Sequence, residues 1–202
     1  MAERAIDKDR ILLGEGKDEE LFLKTLLQFE HISNVQVMEY GGKTKLKTFL
    51  KELPKLPRFG EVVALGITRD ADESEASAKD AVESALAGAG LKLGAAPGQP
   101  MVLMHVLHLN GCGMLEDVCL ASLAERPELE CVDKYLACCV EKGRPAPPNF
   151  AKARVHAWLA SKDLREYQLG RAAEKQPPII DLGHPAFDPL RAFVREVAGV
   201  VP

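Results

Sequence analysis

The spacing of apolar positions changes repeatedly between that of a strand and that of a helix over the first half of the chain. Four short apolar runs bounded by glycine or polar residues are typical of buried strands, at residues 10–15, 34–40, 61–70 and 100–109. Apolar positions three or four residues apart predict helices after the first three runs, at residues 17–29, 41–53 and 74–90. The alternation predicts an α/β fold with a mainly parallel sheet of about four strands flanked by helices.

The second half of the chain carries mainly helical periodicity. Four segments have apolar residues at helical spacing, at residues 113–125, 128–142, 149–161 and 189–199. Irregular, proline-containing stretches interrupt them at residues 143–149 and 176–189. We therefore expect an α/β core at residues 1–112 and a helical extension at residues 113–202, packed together as one structural unit.

The composition is that of an ordinary globular protein. Hydrophobic residues make up 47% of the 202 positions and charged residues 28%. The net charge of −4 does not indicate nucleic-acid binding, but it does not exclude a basic patch on one face of the protein. No apolar run approaches the ~20 residues of a membrane span, and the N-terminus is too polar for a secretory signal. We expect a cytoplasmic protein without a membrane segment. Five cysteines without a CxxC pair favour buried, reduced thiols over disulfides or zinc.

The loop after the first predicted strand has the sequence Gly-Glu-Gly and looks at first like a phosphate-binding loop. A dinucleotide fingerprint needs a third glycine at position 19, which is Glu19. A Walker A loop needs glycine at position 11 and serine or threonine at position 18, which are Ile11 and Asp18. Glu15 would also repel a pyrophosphate. The loop therefore suits a cation better than a phosphate.

A second group of acids ends the third predicted strand. Asp70 and Asp72 are two residues apart, a spacing that puts both side chains on one side of an extended segment. The first and third strands of a parallel sheet end at the same edge, so Glu15, Asp70 and Asp72 can converge there, and Glu19 follows one helical turn after Glu15. Crowded carboxylates repel one another, and a divalent cation relieves that repulsion. Oxygen ligands favour Mg²⁺, Mn²⁺ or Ca²⁺ over zinc.

These motifs resemble the TOPRIM-domain superfamily, which has Glu-Gly after its first strand and DxD after its third. The stretch GEGKDEELFLKTLL is most similar to small stand-alone OLD-like and RNase M5-like members. The stretches GMLEDVCL and HPAFDPLRAF resemble an uncharacterised bacterial family of stand-alone TOPRIM-like proteins. The resemblance implies a TOPRIM-like, Rossmann-like sheet with a helical C-terminal extension.

The resemblance also implies roles for particular residues. Glu15 matches the glutamate that acts as general acid–base or metal ligand. The expected ligands of Mg²⁺ (or Mn²⁺) are Glu15, Glu19, Asp70, Asp72 and a later acid, for which Glu116 is the first candidate and Asp117 the second. Lys152 is the candidate for the catalytic lysine beyond the sheet. The OLD pattern has a serine where this chain has Met114, which puts a second metal ion in doubt.

Two basic residues near the acids are candidates for phosphate binding. Lys43 follows a glycine turn, and Arg69 stands beside Asp70. Each also has a plainer explanation, because Lys43 belongs to a basic run typical of a solvated face and Arg69 could be a structural ion-pair partner. The acids around Glu19 and Glu116 likewise occur where any helix favours negative charge, in its first turn.

The function implied by the resemblance is a metal-dependent nuclease that cleaves phosphodiester bonds with one or two Mg²⁺ or Mn²⁺ ions. Two metal ions would lie ~3.5–4 Å apart. The expected partner is DNA or RNA, and the oligomeric state stays open. The alternative is a TOPRIM-like module that binds a metal, a nucleotide or a partner without turnover. The modest net charge and small size favour this alternative, whereas the full set of acids and the later lysine favour catalysis.

Overall fold

The computed structural model describes residues 5–163 and 168–200. Within these ranges the strands are β1 (Arg10–Gly14), β2 (Val35–Glu39), β3 (Ala64–Asp70) and β4 (Met101–Leu107). The α-helices are α1 (Lys17–Phe29), α2 (Leu46–Glu52), α3 (Glu75–Ala87), α4 (Leu115–Ser122), α5 (Glu128–Glu141), α6 (Phe150–Leu159), α7 (Leu169–Glu174) and α8 (Asp188–Ala198). Short 3₁₀ helices cover Leu53–Lys55, Phe59–Glu61 and Pro185–Phe187.

The four strands form one parallel sheet in the order β2-β1-β3-β4. The chain moves outward from β1 to β2, and then returns past β1 to β3 and continues to β4. Because parallel crossovers are right-handed, a reversal of direction puts the connecting helices on opposite faces. The reversal creates a topological switch point between β1 and β3, where open α/β sheets bind their ligands.

Helices cover both faces of the sheet. Side chains of α2 and α3 form one apolar cluster with residues such as Ile11 and Leu65. A larger cluster on the other face joins α1, α4, α5, α6, α7 and α8 with residues such as Leu12 and Val37. The helices after β4 therefore share a continuous core with the sheet, and the predicted α/β class with a helical C-terminal region is confirmed.

Helix α8 lies very close to the sheet at Gly66 in β3. A β-carbon added there would lie 2.5 Å from Cγ2 of Val197 and 3.2 Å from Cζ of Phe193, both on α8. Val197 is fully buried, so it has no free space to enter. Glycine at position 66 thus allows α8 to lie directly on the centre of the sheet.

Helix α7 is the element that the sequence pattern does not predict. It has six residues, and the side chain of its N-cap residue, Gln168, forms no capping hydrogen bond. The cap comes instead from Asp18 in α1, whose two carboxylate oxygens accept the backbone N–H groups of Leu169 (3.0 Å) and Gly170 (2.7 Å). This capping joins elements more than 150 residues apart in the chain.

Two smaller expectations have different outcomes. Cys119 is buried, but Cys112, Cys131 and Cys138 are exposed, so the prediction of generally buried thiols is wrong. These cysteines lie on loops and outer helix faces, where helical spacing does not require burial. Among the helices in the described part of the chain, none combines the length and the apolar character that crossing a bilayer requires.

We expect Gly66→Ala to lower the free energy of unfolding by about 1–3 kcal/mol, because the added methyl group displaces Val197 in a filled core. Urea denaturation followed by circular dichroism measures the change. Gly60→Ala is the matched control, since a β-carbon at Gly60 meets no atom within 4 Å. A loss for Gly66→Ala no larger than that for Gly60→Ala would contradict the packing described for α8.

We expect Asp18→Ala to lower the free energy of unfolding by about 0.5–2 kcal/mol, the usual cost of removing a helix N-cap. Asp18→Asn keeps one acceptor oxygen and should fall between the wild type and Asp18→Ala. Hydrogen exchange should show faster exchange of the Leu169 and Gly170 amides in both variants. Unchanged exchange at these two amides would show that Asp18 does not cap α7.

Candidate acidic site at the switch point of the sheet

The carboxyl ends of β1 and β3 carry the acids that the sequence singles out. Glu15 directly follows β1, and Asp70 is the last residue of β3. Glu19 lies in the first turn of α1 and Glu116 in the first turn of α4. We use the name "acidic site" for Glu15, Glu19, Asp70, Asp72 and Glu116.

The backbone of Glu15 is held by the glycine turn after β2. Its carbonyl accepts the N–H groups of both Gly41 (3.1 Å) and Gly42 (2.8 Å). These glycines have φ values of 88° and 100°, which other residues rarely adopt, and this explains the glycine pair at that point. The loop after β2 therefore fixes the position from which the Glu15 side chain extends.

Glu19 is buried and anchored by two hydrogen bonds. Its Oε2 accepts the backbone N–H of Glu15 at 2.6 Å, and its Oε1 forms a short hydrogen bond with the Thr68 hydroxyl. The Thr68 oxygen also lies 2.9 Å from the carbonyl of Leu13, to which it can donate. A hydroxyl has one hydrogen. If Thr68 donates it to Leu13, the Glu19 carboxyl must carry a proton and donate to Thr68.

The raised pKa of Glu19 agrees with a protonated carboxyl group. Burial raises its pKa from 4.5 to about 7, and the nearby charges of Glu15 and Glu116 raise it too, against the lowering effect of its hydrogen bonds. Burial likewise raises the pKa of Asp70 from 3.8 to about 8, with further contributions from Glu19, Glu15 and Glu116. The charges of Glu15 and Glu116 therefore reach both Glu19 and Asp70.

Asp70 also ties the sheet to the helical region. Its Oδ1 accepts the backbone N–H of Leu115, the first residue of α4, at 3.1 Å. The loops on either side are joined by a backbone bridge between Asp72 and Gly113, with hydrogen bonds of 2.8 and 2.7 Å. Glu116 is brought to the acidic site by this docking of α4 on the end of β3.

Asp72 differs from the sequence expectation in its conformation. The chain leaves the extended conformation after Asp70, and Asp72 has a φ of 51° in the left-handed region. The alternation that would put the two aspartates on one side therefore does not extend to position 72. The side chain of Asp72 forms an ion pair with Lys43 at 3.2 Å.

Two further acids of the site also have cationic partners. Arg69 Nη1 lies 3.4 Å from Oε2 of Glu15, and Lys152 Nζ lies 3.4 Å from Oε1 of Glu116. By contrast, Glu19 and Asp70 have no lysine or arginine partner in residues 5–163 and 168–200. The predicted catalytic lysine and both predicted phosphate-binding residues thus lie against acids of the site.

Asp117, the second candidate for the later acid, has a structural task. Its Oδ2 accepts the backbone N–H of Met114 at 2.9 Å and so caps α4. The side chain of Met114 has no oxygen, and its sulfur accepts a hydrogen bond from the Asn149 amide at 3.2 Å. Glu116, rather than Asp117, is therefore the acid of α4 whose charge acts on Glu19 and Asp70.

The side chains of the acidic site are suitable ligands for a divalent cation, but they are not arranged to coordinate one. All five members of the acidic site offer the hard oxygen ligands that Mg²⁺ and Mn²⁺ prefer. Yet no three Asp, Glu, His or Cys side chains in the described ranges already lie close enough together to bind one ion. Binding would require side-chain rotation away from the ion pairs with Arg69, Lys152 and Lys43.

Sequence reasoning did not identify two residues that support the site. Thr68 is a fully buried polar residue directly after the apolar residues 64–67 of β3, and such a residue needs a hydrogen-bond partner. That signal was present in the sequence. The Tyr40 hydroxyl donates to the Thr68 carbonyl at 3.1 Å and lies 3.5 Å from Glu15 Oε2. Its role depends on tertiary contacts that no local pattern reveals.

Comparison with known proteins yields one match. No curated protein and no solved structure matches the chain. The model of a family described as "Protein of unknown function (DUF3226)" matches residues 9–199, which include every residue of the acidic site. The chain therefore belongs to the DUF3226 family.

Proposed function

We propose that the protein is a cytoplasmic Mg²⁺- or Mn²⁺-dependent phosphodiester hydrolase that acts on nucleic acid, like the TOPRIM-type nucleases that its motifs resemble. One observation carries the proposal. Glu19 is buried and Asp70 is half-buried at the switch point of the sheet, within electrostatic reach of Glu15 and Glu116, and neither has a basic partner among residues 5–163 and 168–200. Burying ionisable groups in this way costs stability. A bound dication explains why the chain retains them.

The balance of charge supports a single metal ion. The five carboxyl groups of the acidic site face three cations, Lys43, Arg69 and Lys152. Full ionisation would leave two negative charges, which is the charge that one divalent ion neutralises. The side chains that would hold the ion are Glu15, Glu19, Asp70 and Glu116. Asp72, bound to Lys43, would join through rotation of its side chain.

The chain's own residues fit the steps of phosphodiester hydrolysis. When bound, the metal ion would polarise the phosphoryl group and lower the pKa of a water molecule. Glu15, half-buried after β1, would accept the proton of the attacking water. As the oxygen of that water forms its bond to phosphorus, the bond from phosphorus to the leaving oxygen would break, and the leaving oxygen would take up a proton from solvent. Arg69 and Lys152 would neutralise charge on the phosphoryl oxygens as their carboxylate partners turn to the ion. Lys43 would bind a neighbouring phosphate.

A second function is favoured by one observation. The lack of a preassembled three-ligand cluster in the described ranges agrees with a module that binds a nucleotide or a partner without turnover. Such a module would bind its ligand through Lys43, Arg69 and Lys152 with no need for the buried acids to ionise. Turnover with a metal ion separates the two functions.

We expect the purified protein to cleave DNA or RNA oligonucleotides in the presence of Mg²⁺ or Mn²⁺. Asp70→Asn should lower the rate by more than about a hundredfold, because loss of a direct metal ligand should exceed the 10–100-fold cost usual for outer-shell partners. Asn keeps an oxygen for the Leu115 amide, so the fold should survive. Gel analysis of labelled single- and double-stranded substrates measures the rates.

Asp80→Asn is the matched control, because Asp80 is an exposed acid on α3. It should cleave at the wild-type rate. Cleavage that persists unchanged in Asp70→Asn would identify a contaminating nuclease. Cleavage without any divalent ion, in the presence of a chelator, would refute the metal-dependent mechanism.

We expect the metal-free protein to lose stability between about pH 5 and about pH 8. Glu19 and Asp70 have folded-state pKa values of about 7 and about 8, above their ordinary values of 4.5 and 3.8. The folded state therefore binds more protons than the unfolded state in this range, and stability falls as the pH rises. Asp70→Asn should flatten the profile of unfolding temperature against pH.

Addition of Mg²⁺ or Mn²⁺ should raise the unfolding temperature more at about pH 8 than at about pH 5, because the ion competes with the protons of these carboxyl groups. Differential scanning fluorimetry across both pH values gives the comparison. An equal shift at the two pH values, or an equal shift in Asp70→Asn, would argue against binding at the acidic site.

A further inference from the structure

A groove opens beside the acidic site, between the start of α3 and the start of α6. Its volume is about 740 Å³, within the roughly 300–1,000 Å³ of small-ligand sites. Lys43, Arg69 and Asp70 line it where it meets the acidic site, and Asn149 and Phe150 line it at α6. A ligand in the groove would therefore contact the acidic site and α6 together.

Phe150 gives the groove an aromatic surface. It is the first residue of α6, and 54% of its surface is exposed, whereas the other aromatic residue of α6, Trp158, is buried. Asn149 caps the helix by accepting the N–H of Lys152 at 2.8 Å, which fixes the backbone on both sides of Phe150. An exposed ring on a fixed backbone is suited to stacking against a flat ligand.

Arg69, which lines the same groove, has a hydrogen-bond donor without a partner in the described residues. Its exposed fraction is 9%, and its Nε is buried without a hydrogen-bond partner. Its Nη1 contact with Glu15 is long, at 3.4 Å. A buried guanidinium with an unsatisfied N–H needs an acceptor, and phosphate oxygens, like carboxylate oxygens, form strong charge-assisted hydrogen bonds with it.

An aromatic face and an anion-seeking guanidinium correspond to the two parts of a nucleotide, its base and its phosphate. We propose that the groove binds an unpaired nucleotide, with its base on Phe150 and its phosphate at Arg69, so that the substrate is single-stranded nucleic acid. This inference rests on the proposed function and specifies its substrate. In a duplex the faces of the bases are occupied by their neighbours, so a stacked base must first leave the duplex.

The proposal is tested by binding with Ca²⁺ in place of Mg²⁺, because Ca²⁺ takes the same kind of oxygen ligands. The probe is a short single-stranded oligonucleotide that contains 2-aminopurine, whose fluorescence changes when it stacks. Wild-type protein should change the fluorescence and bind the single strand more tightly than the matching duplex. Phe150→Ala should weaken binding roughly 5- to 150-fold, the range usual for loss of one stacked base.

Matched variants separate stacking from general apolar contact. Phe150→Trp should retain the fluorescence change, and Phe150→Leu should lose most of it. Phe29→Ala is the control, because Phe29 is 45% exposed and lies at the C-terminal end of α1, towards the opposite edge of the sheet. Equal binding of duplex and single strand, or equal affinity of Phe150→Ala and wild type, would overturn the proposal.

Failure of this proposal differs from failure of the proposed function. Duplex cleavage that depends on Asp70 but not on Phe150 would support the hydrolase function and refute the proposal of a single-stranded substrate. Binding that depends on Phe150, without cleavage in Mg²⁺ or Mn²⁺, would support nucleotide binding in the groove and refute the hydrolase function. Absence of any binding to the oligonucleotide would refute the groove proposal irrespective of cleavage.

Discussion

The site is built around two acids, the buried Glu19 and the half-buried Asp70, that have no basic partner in the described part of the chain. Both acids lose hydration at the end of the sheet, and their hydrogen-bond partners in the described residues are neutral: the N–H groups of Glu15 and Leu115 and the Thr68 hydroxyl. Neutral partners cannot cancel the negative charge of a carboxylate, so the pKa values of both acids stay raised. The site therefore gains most from a ligand that carries positive charge.

The topology explains why these acids meet at all. The reversal of chain direction after β2 puts β1 and β3 side by side with their connecting helices on opposite faces, which leaves the crevice above their carboxyl ends open. Glu15 and Asp70 are the residues at those two ends. The helical region then adds Glu116 through the docking of α4 on Asp70. Fold and site thus depend on the same strand order rather than on separate features of the sequence.

The sequence predicts the regular part of this arrangement and fails where tertiary contacts decide. Buried parallel strands and amphipathic helices have local periods, so all four strands and seven of the eight described α-helices could be predicted. Helix α7 could not, because its cap is Asp18 in a distant helix. The conformation of Asp72 was also missed, since its positive φ belongs to the bridge with Gly113 rather than to β3. Tyr40 was missed for the same reason, because its contacts with Thr68 and Glu15 arise only in the folded structure.

The three cations of the site link the buried acids to the proposed substrate. Arg69, Lys152 and Lys43 now lie against Glu15, Glu116 and Asp72, so each ion pair must separate before its paired atoms can take another ligand. In the proposed reaction, a dication competes for the carboxylates and releases the basic side chains for phosphate. Metal and nucleic acid would then bind with positive cooperativity, because each removes the partner that blocks the other. A groove that is acidic overall without metal would become able to hold a polyanion once the metal is bound.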